Sequence, residues 1–352
     1  MKIKMVAGLI VIVGVVMLNA CINKHNQPAE VKTKFQNSEW VDGFSFTNML
    51  GIIKDYMTVS RKESVPTEAI PVAEIDADAL NEETQDVVFK LGHSSLLFKL
   101  SGSLIMADPV FSERASPLQW MGPKRFHQPP ITVDTLPNID VVVISHDHYD
   151  HLDKAALAKL ANKTQWFLVP LKVGKHLEEV GVSKDKIIEL AWWQSQTING
   201  IEYTLTPTQH FSGRGLFDKD TTLWGSWVIN TGKQNLYFSG DSGYFSGFKE
   251  IGEKYGPFDL TFIETGAYNK RWSKVHMFPE QSVQAHLDLK GKVMMPIHNS
   301  TFDLALHDWH EPLDRVLKES NDKKIRLITP TVGQRVELSD LLRYENQQRW
   351  WK

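Results

Sequence analysis

Nine residues constrain this chain more than any other stretch: Ser145-His146-Asp147-His148-Tyr149-Asp150-His151-Leu152-Asp153. They follow directly on Val141-Val142-Val143-Ile144, an apolar run of the kind that forms a strand buried on both faces. Such a strand, ending abruptly in histidines and aspartates, marks the carboxyl edge of an α/β sheet, where ligands and reacting groups collect. A solvated polar loop gives no reason for three histidines within six positions. Imidazole nitrogens and carboxylate oxygens suit zinc and other first-row divalent metals. His146 and His148 can face one side of the turn while Asp150 and His151 reach a neighbouring point, which offers four donors to two metals.

Two metals need further donors, and the chain places them at the ends of other strand-like runs. His210 follows Thr204–Gln209, Asp241 follows Leu236–Gly240, and His298 follows Val293–Ile297. Taken singly, each is an ordinary hydrogen-bonding residue at a strand end. Taken together, they converge on one edge.

The surrounding pattern predicts what carries that edge. Short apolar runs at 87–89, 96–98 and 104–106 are separated by Gly92 and Gly102, and Asp140–Ser145 reads as a buried strand. Further strands are expected at 201–206, 223–230, 235–239, 259–263, 293–297 and 325–329, with helices at 153–162, 171–180, 279–289 and 310–319. Strands in runs, interleaved with helices, predict a layered α/β arrangement. The 352 residues, 42% of them hydrophobic, can bury a large core. A formal charge of −3 argues against a dedicated nucleic-acid binder. Cys21 is the single cysteine, so neither an internal disulfide nor a cysteine-rich zinc site is available.

Residues 1–20 read as a signal peptide: Lys2 and Lys4, fourteen apolar or glycine residues from Met5 to Leu18, then Asn19-Ala20. A spanning helix needs roughly 20 apolar residues. Leu18-Asn19-Ala20-Cys21 resembles the lipobox of bacterial lipoproteins, which implies an acylated Cys21 and a protein anchored in the bacterial cell envelope, facing the periplasm or exterior. An uncleaved signal-anchor is the alternative. Residues 21–85 are expected to form a tether and accessory segment. Within it, Phe46, Met49, Leu50, Ile53 and Met57 fall at helical spacing, a stripe read as a helix packed on its own domain or, alternatively, facing a membrane. Residues 86–352 are expected to form one hydrolase domain.

The His-x-His-x-Asp-His turn with the later His210, Asp241 and His298 resembles the metallo-β-lactamase fold superfamily. Within it, the chain is similar to the N-acylphosphatidylethanolamine-hydrolysing phospholipase D family and its bacterial relatives. The stretches that carry this include Leu91–Ser94, Ala107–Phe111, Arg114–Pro117, Met121–Phe126, Ile144–Asp153 and Thr206–His210. Leu223–Trp227, Gly240–Tyr244, Gly266–Tyr268, Arg271-Trp272 and Pro296–His298 continue the match, which spans about residues 87–312.

The resemblance implies an αββα sandwich with the metals at one edge of its two sheets. It implies two zinc ions, with His146, His148 and His210 holding one, Asp150, His151 and His298 holding the second, and Asp241 bridging them. Asp241 would also orient a metal-bridging hydroxide, and His276 would act on the substrate side or handle a proton, with a helix-start histidine before Pro279 as the alternative reading. Phospholipid becomes the expected substrate, and a homodimer is common in that family. A lactonase or other ester hydrolase using the same donors is the alternative. The bridging carboxylate and the lack of a second-site cysteine argue against a role in antibiotic resistance. One departure stands out: the family commonly has Trp-Gly after the last metal histidine, where this chain has Asn299-Ser300. Asp108 and Asp147 are candidates for holding the outer nitrogens of the metal histidines. Arg125, Lys124, Arg214 and Arg271 could meet a phosphate, although a structural role is the preferred reading of each.

Overall fold

The computed structural model describes residues 34–39, 46–344 and 349–352. The segment expected to be a signal peptide, Cys21 and most of the expected tether lie outside the described residues. Among the described residues, no helix is long and apolar enough to cross a membrane.

Two seven-stranded sheets carry the chain. The first holds β1 (Val87–Gly92), β2 (Ser95–Leu100), β3 (Ser103–Ala107), β4 (Ile139–Val143), β5 (Thr164–Pro170) and β6 (Ile187–Leu190) in sequence order. The second holds β7 (Ser195–Ile198), β8 (Ile201–Thr206), β9 (Ser226–Asn230), β10 (Asn235–Phe238), β11 (Phe258–Glu264), β12 (Gly291–Ile297) and β13 (Arg326–Leu327). A last strand, β14 (Arg335–Glu337), returns to the first sheet beside β1. Each sheet begins with antiparallel hairpins and finishes with parallel strands, β3 to β6 in one and β10 to β13 in the other. Parallel pairs need long crossovers, and helices supply them.

Side-chain alternation explains the layering. Val88, Leu96, Phe98 and Ile105 of the first sheet meet Tyr203, Leu205, Trp227, Phe238 and Phe262 of the second in a core made almost wholly of strand residues. After two N-terminal helices, α1 (Phe46–Thr58) and α2 (Ala77–Glu82), come those that cover the first sheet: Val87, Phe89 and Leu97 face the other way, onto Ala156, Leu157 and Leu160 of α3 (Lys154–Leu160) and Leu177 of α4 (Gly174–Glu178). On the far side, Tyr237 and Met294 pack under α5 (Gly247–Lys254), α6 (Pro279–Asp288) and α7 (Glu311–Lys323). Two sheets apolar on both faces must be covered by helices outside, which is the αββα sandwich expected from the sequence. Trp227 stitches the sheets together, its indole donating to the Ile144 carbonyl at 3.0 Å.

Three expectations change in detail. The strand expected over 223–230 starts only at Ser226, because Leu223 and Gly225 spend their backbone N–H groups on Leu171 and Ser145 of loops on the other sheet. The helix expected over 171–180 is confined to α4, held by Glu189, which accepts from the Gly174 N–H at 2.9 Å. In the accessory segment, the described helix Phe46–Thr58 leaves Leu50 and Met57 about half exposed, so its stripe is not wholly packed on the domain. Polar contacts hold that helix instead, including the Asp55–Arg271 ion pair and a bond from the Tyr56 hydroxyl to the Leu304 carbonyl.

Candidate metal centre

The carboxyl ends of β1, β3, β4, β8, β10, β11 and β12 deliver their next side chains to one edge of the sandwich. β4 hands over to Ser145–His151, and Asp153 then closes the turn by capping α3 through the N–H groups of Ala155 and Ala156. The same carboxylate accepts from the backbone of Phe111 and Ser112, which fixes the turn against the loop after β3. Gly240 precedes Asp241 with φ +54°, and a Cβ there would lie 2.6 Å from Ser145 Cβ. That close approach needs glycine, and it presses the Asp241 loop onto the histidine turn.

Seven residues singled out in the sequence meet here. Nε2 of His146 and Nδ1 of His148 are 2.9 Å apart, and Nε2 of His210 lies 3.2 Å from the same Nδ1. Asp241 Oδ2 is 3.8 Å from both His146 and His210. On the other side, His298 Nε2 lies 3.3 Å from Asp150 Oδ2 and 3.0 Å from Asp241 Oδ2, and His151 Nε2 lies 3.1 Å from Asp241 Oδ1. One cluster is His146, His148, His210 and Asp241, and the other is Asp150, His151 and His298 together with His93; Asp241 also reaches His151 and His298 of the second, so it is shared by both. Tetrahedral sites with bonds of about 2.0–2.1 Å place their ligand atoms about 3.3 Å apart. Imidazole lone pairs at this spacing repel unless a proton or a cation sits between them. His151 Nε2, Asp241 Oδ1 and His298 Nε2 are buried with no hydrogen-bond partner. Orphaned donors of metal-ligating type, converging from two sides on a shared carboxylate, fit two cations.

The outer nitrogens show why the inner ones are free. His210 Nδ1 donates to the Val275 carbonyl at 2.9 Å, and His151 Nδ1 donates to Asp108 Oδ2 at 2.6 Å. His146 Nδ1 meets Ser145 Oγ at 2.9 Å, and that hydroxyl donates to Asp108 Oδ2 at 2.6 Å. A proton held at Nδ1 leaves the Nε2 lone pair pointing inward. Electrostatics agree with a cation site. Burial, with mutual repulsion among the histidines, holds His146 well below the usual imidazole range, and burial likewise lowers His210 and His148. Burial opposes charge on His151 and His298 too, but Asp241 and its neighbouring carboxylates win. They hold His151 well above its usual value and push His298 up to about 10. Without a metal, protons take the place of positive charge beside Asp150 and Asp241.

Of the two aspartates expected behind the metal histidines, the structure bears out one, and the four cationic residues take the structural roles preferred for them. Asp108 does hold a metal-type histidine. Asp147 does not: its carboxylate accepts from the Gly213 N–H at 2.8 Å, from Thr222 at 2.7 Å, and faces His176, so it ties the 212–222 loop to the turn. The four cationic candidates serve structure. Arg125 and Arg214 donate to backbone carbonyls, Lys124 pairs with Glu113, and Arg271 pairs with Asp55. His276 sits at the centre, with its ring 5.0 Å from that of His210 and 5.5 Å from that of His298.

Two residues escaped the sequence reading. His93 Nε2 lies 3.1 Å from Asp150 Oδ2, and Glu264 is wholly buried behind His276. The Glu264 carboxylate pairs with His276 Nδ1 and accepts from the N–H of Ser242, next to Asp241. Burial raises Glu264 despite that pairing, while Glu264, working against burial, raises His276. The one available signal was Glu264 itself, a charge closing the apolar run of β11. Half-buried His148, Asp150 and His276 mark the open side, and Phe211 packs its ring 4.6 Å from that of His148.

Residues 104–299 match the family described as "Beta-lactamase superfamily domain". An uncharacterised protein of Mycobacterium tuberculosis is 43% identical over 265 residues, covering 74% of this chain and 70% of its own length. A Caenorhabditis elegans protein named N-acyl-phosphatidylethanolamine-hydrolyzing phospholipase D 1 is 35% identical over 327 residues, covering 84% of this chain and 91% of its own. Among solved structures, a metallo hydrolase from Ignicoccus hospitalis superposes with a TM-score of 0.55 at 23% identity, covering 72% of this chain and 98% of that one. That last likeness speaks for the fold alone.

Proposed function

The chain belongs to the metallo-β-lactamase superfamily and is a metal-dependent hydrolase of it; from that premise we propose that it cleaves the phosphodiester of N-acylated phosphatidylethanolamine or a similar phospholipid. One observation carries the reading: a carboxylate-shared pair of donor sets lies in a chain similar, over most of both lengths, to an enzyme named for that reaction.

Two bound divalent metals would supply a water of lowered pKa and Lewis-acid polarisation of the phosphoryl oxygens. His146, His148 and His210 would hold one, Asp150, His151 and His298 the other, with Asp241 between them. Zinc suits these donors, and iron or manganese also would. The remaining residues orient. Asp108 fixes the proton of His151 on Nδ1, and Glu264 fixes that of His276 on the nitrogen facing away from the site. The other nitrogen of His276 is then available to receive or supply a proton at the reacting phosphate. Asp241 Oδ2 lies 3.8 Å from His146 and His210 of one set and 3.0 Å from His298 of the other, so one carboxylate aligns both donor sets.

The surroundings support a lipid. Arg125, Arg214 and Lys124 are engaged elsewhere, so the substrate's phosphate charge falls to the metals. The loop that leaves His210 carries Phe211 beside the site and then the strongly exposed Leu216 and Phe217. The proposal includes attachment to the bacterial envelope through acylated Cys21, supported by the layout of residues 1–21. Mass spectrometry of the mature N-terminus tests it; a start at Met1 contradicts it.

Metal-loaded protein, given N-acylated phosphatidylethanolamine in mixed micelles, is expected to release phosphatidic acid and N-acylethanolamine. Lactones and simple esters assayed in parallel decide the alternative. Intact phospholipid beside hydrolysed lactone would replace the phosphodiesterase reading with the lactonase one.

A further inference from the structure

Lys90 is only 4% exposed, in the middle of β1, and none of the described carboxylates pairs with it. Burying an ammonium without a counter-charge is costly unless hydrogen bonds replace its water. Its Nζ crosses from the first sheet to the second and donates to the Pro296 carbonyl at 3.1 Å and to Asn299 Oδ1 at 2.9 Å. These two acceptors bracket His298.

Each acceptor has a reason to need Lys90. In a strand, carbonyls two residues apart face the same side. Met294 therefore shares its side with Pro296, and the Met294 carbonyl accepts from Ile328, the residue just after β13. β13 ends at Leu327, so no strand continues beside Pro296, and Lys90 satisfies the carbonyl there. Beyond it the chain makes a tight turn, with His298 at φ +62° and Ser300 at φ +61°, a region that side-chain-bearing residues seldom enter. Asn299 anchors that turn: its amide nitrogen donates to the Ile297 carbonyl at 2.8 Å, and its oxygen receives both Lys90 and the Ser300 hydroxyl. The His298 N–H donates to the His93 carbonyl at 3.0 Å, and a Cβ on Gly266 would lie 2.0 Å from the His298 carbonyl. The imidazole is thus aimed by a strained backbone held from several sides.

We propose that Lys90 is a positioning residue for the second metal, holding the Pro296–Asn299 turn so that His298 meets Asp150, His151 and Asp241. Asn299 is its partner across the two sheets. The proposal rests on the two-metal reading of the site and is independent of the substrate.

Metal titration tests it without any assay of turnover. Metal-free full-length protein, Lys90→Met and Asn299→Ala are titrated with Co(II) and with zinc against a competing chelator. In Lys90→Met, the equivalent held by the His298 set (the second equivalent, whatever the order of filling) is expected to bind about 10- to 100-fold more weakly, the scale seen when residues that orient ligands are removed. The visible Co(II) bands of that equivalent should shift, while the first equivalent binds as in the wild type. Asn299→Ala, which leaves the bond to Pro296, should show the same pattern to a smaller degree, and it decides the matter if Lys90→Met does not fold. An unchanged second equivalent with unchanged bands overturns the proposal. So does equal weakening of both equivalents, which would mark general loosening. A wild-type chain that accepts only one equivalent refutes the two-metal reading itself, and the proposal with it.

Discussion

Asp108→Asn isolates one oxygen of the centre. Asp108 is wholly buried; its Oδ1 accepts from the Ser145 N–H at 2.7 Å, and its Oδ2 accepts from Ser145 Oγ and His151 Nδ1, each at 2.6 Å. An asparagine fills the same space but carries two donors on one side. If its oxygen stays on the Ser145 N–H, its NH2 faces His151 Nδ1, which must give up its proton and become an acceptor. The proton then moves to Nε2, the atom that lies 3.1 Å from Asp241 Oδ1 and belongs to the second donor set. The opposite flip sets NH2 against a backbone N–H, which leaves two donors face to face. Either way a charge-assisted hydrogen bond is lost, worth about 1.5–3 kcal/mol. At 1.4 kcal/mol per factor of ten, that is roughly a 10- to 100-fold weaker second metal. Competition against a chromophoric chelator at fixed pH reads the two equivalents separately, and thermal melting of the metal-free protein reports the fold. Wild-type affinity for both equivalents, in a variant that melts like the wild type, would refute the tautomer reasoning.

Glu264→Gln should lower kcat about 100-fold, the lower end of the range for acid–base groups, with metal content intact; an unchanged pH–rate profile would remove His276 from proton handling. Metal loading should strengthen as pH rises, because His298, held charged up to about 10, must give up its proton to bind a cation; a pH-independent affinity contradicts this. The same raised value stabilises the metal-free fold fully below the ordinary imidazole value and is lost as pH climbs towards about 10, so chelator-treated protein should melt lower over that window. Trp227→Phe strands the buried Ile144 carbonyl between the sheets and should cost about 1–3 kcal/mol in urea unfolding; a loss below about 0.5 kcal/mol would mean the indole bond is unimportant.

What was legible in the sequence was local chemistry. His146 to His151 lie within one turn, and a strand end exposes its identity through the apolar run before it, as at Asp241 and His298. The sheet layers were readable where short apolar runs stand between glycines, as at Val87–Phe89 and Leu96–Phe98. Short edge strands were not: β7 is Ser195–Ile198, largely polar, and β14 has three residues, so neither carries an apolar signal. Partners far apart in the chain were also hidden. Lys90 meets Asn299 across 209 positions, and His93 meets Asp150 across 57. Asp147 shows the converse, since its place inside the motif suggested a metal histidine while the fold gave it His176. Residue type and spacing report what a side chain can do; only the packed sheets decide which neighbour it does it to.

Hydrolysis in oxygen-18 water, with the products separated by mass spectrometry, tests the proposed reaction most directly. Attack on phosphorus at the metal edge predicts one solvent oxygen in the phosphatidic acid and none in the N-acylethanolamine. Label in the N-acylethanolamine, or label only in free fatty acid released from an ester bond, would contradict phosphodiester cleavage by this site.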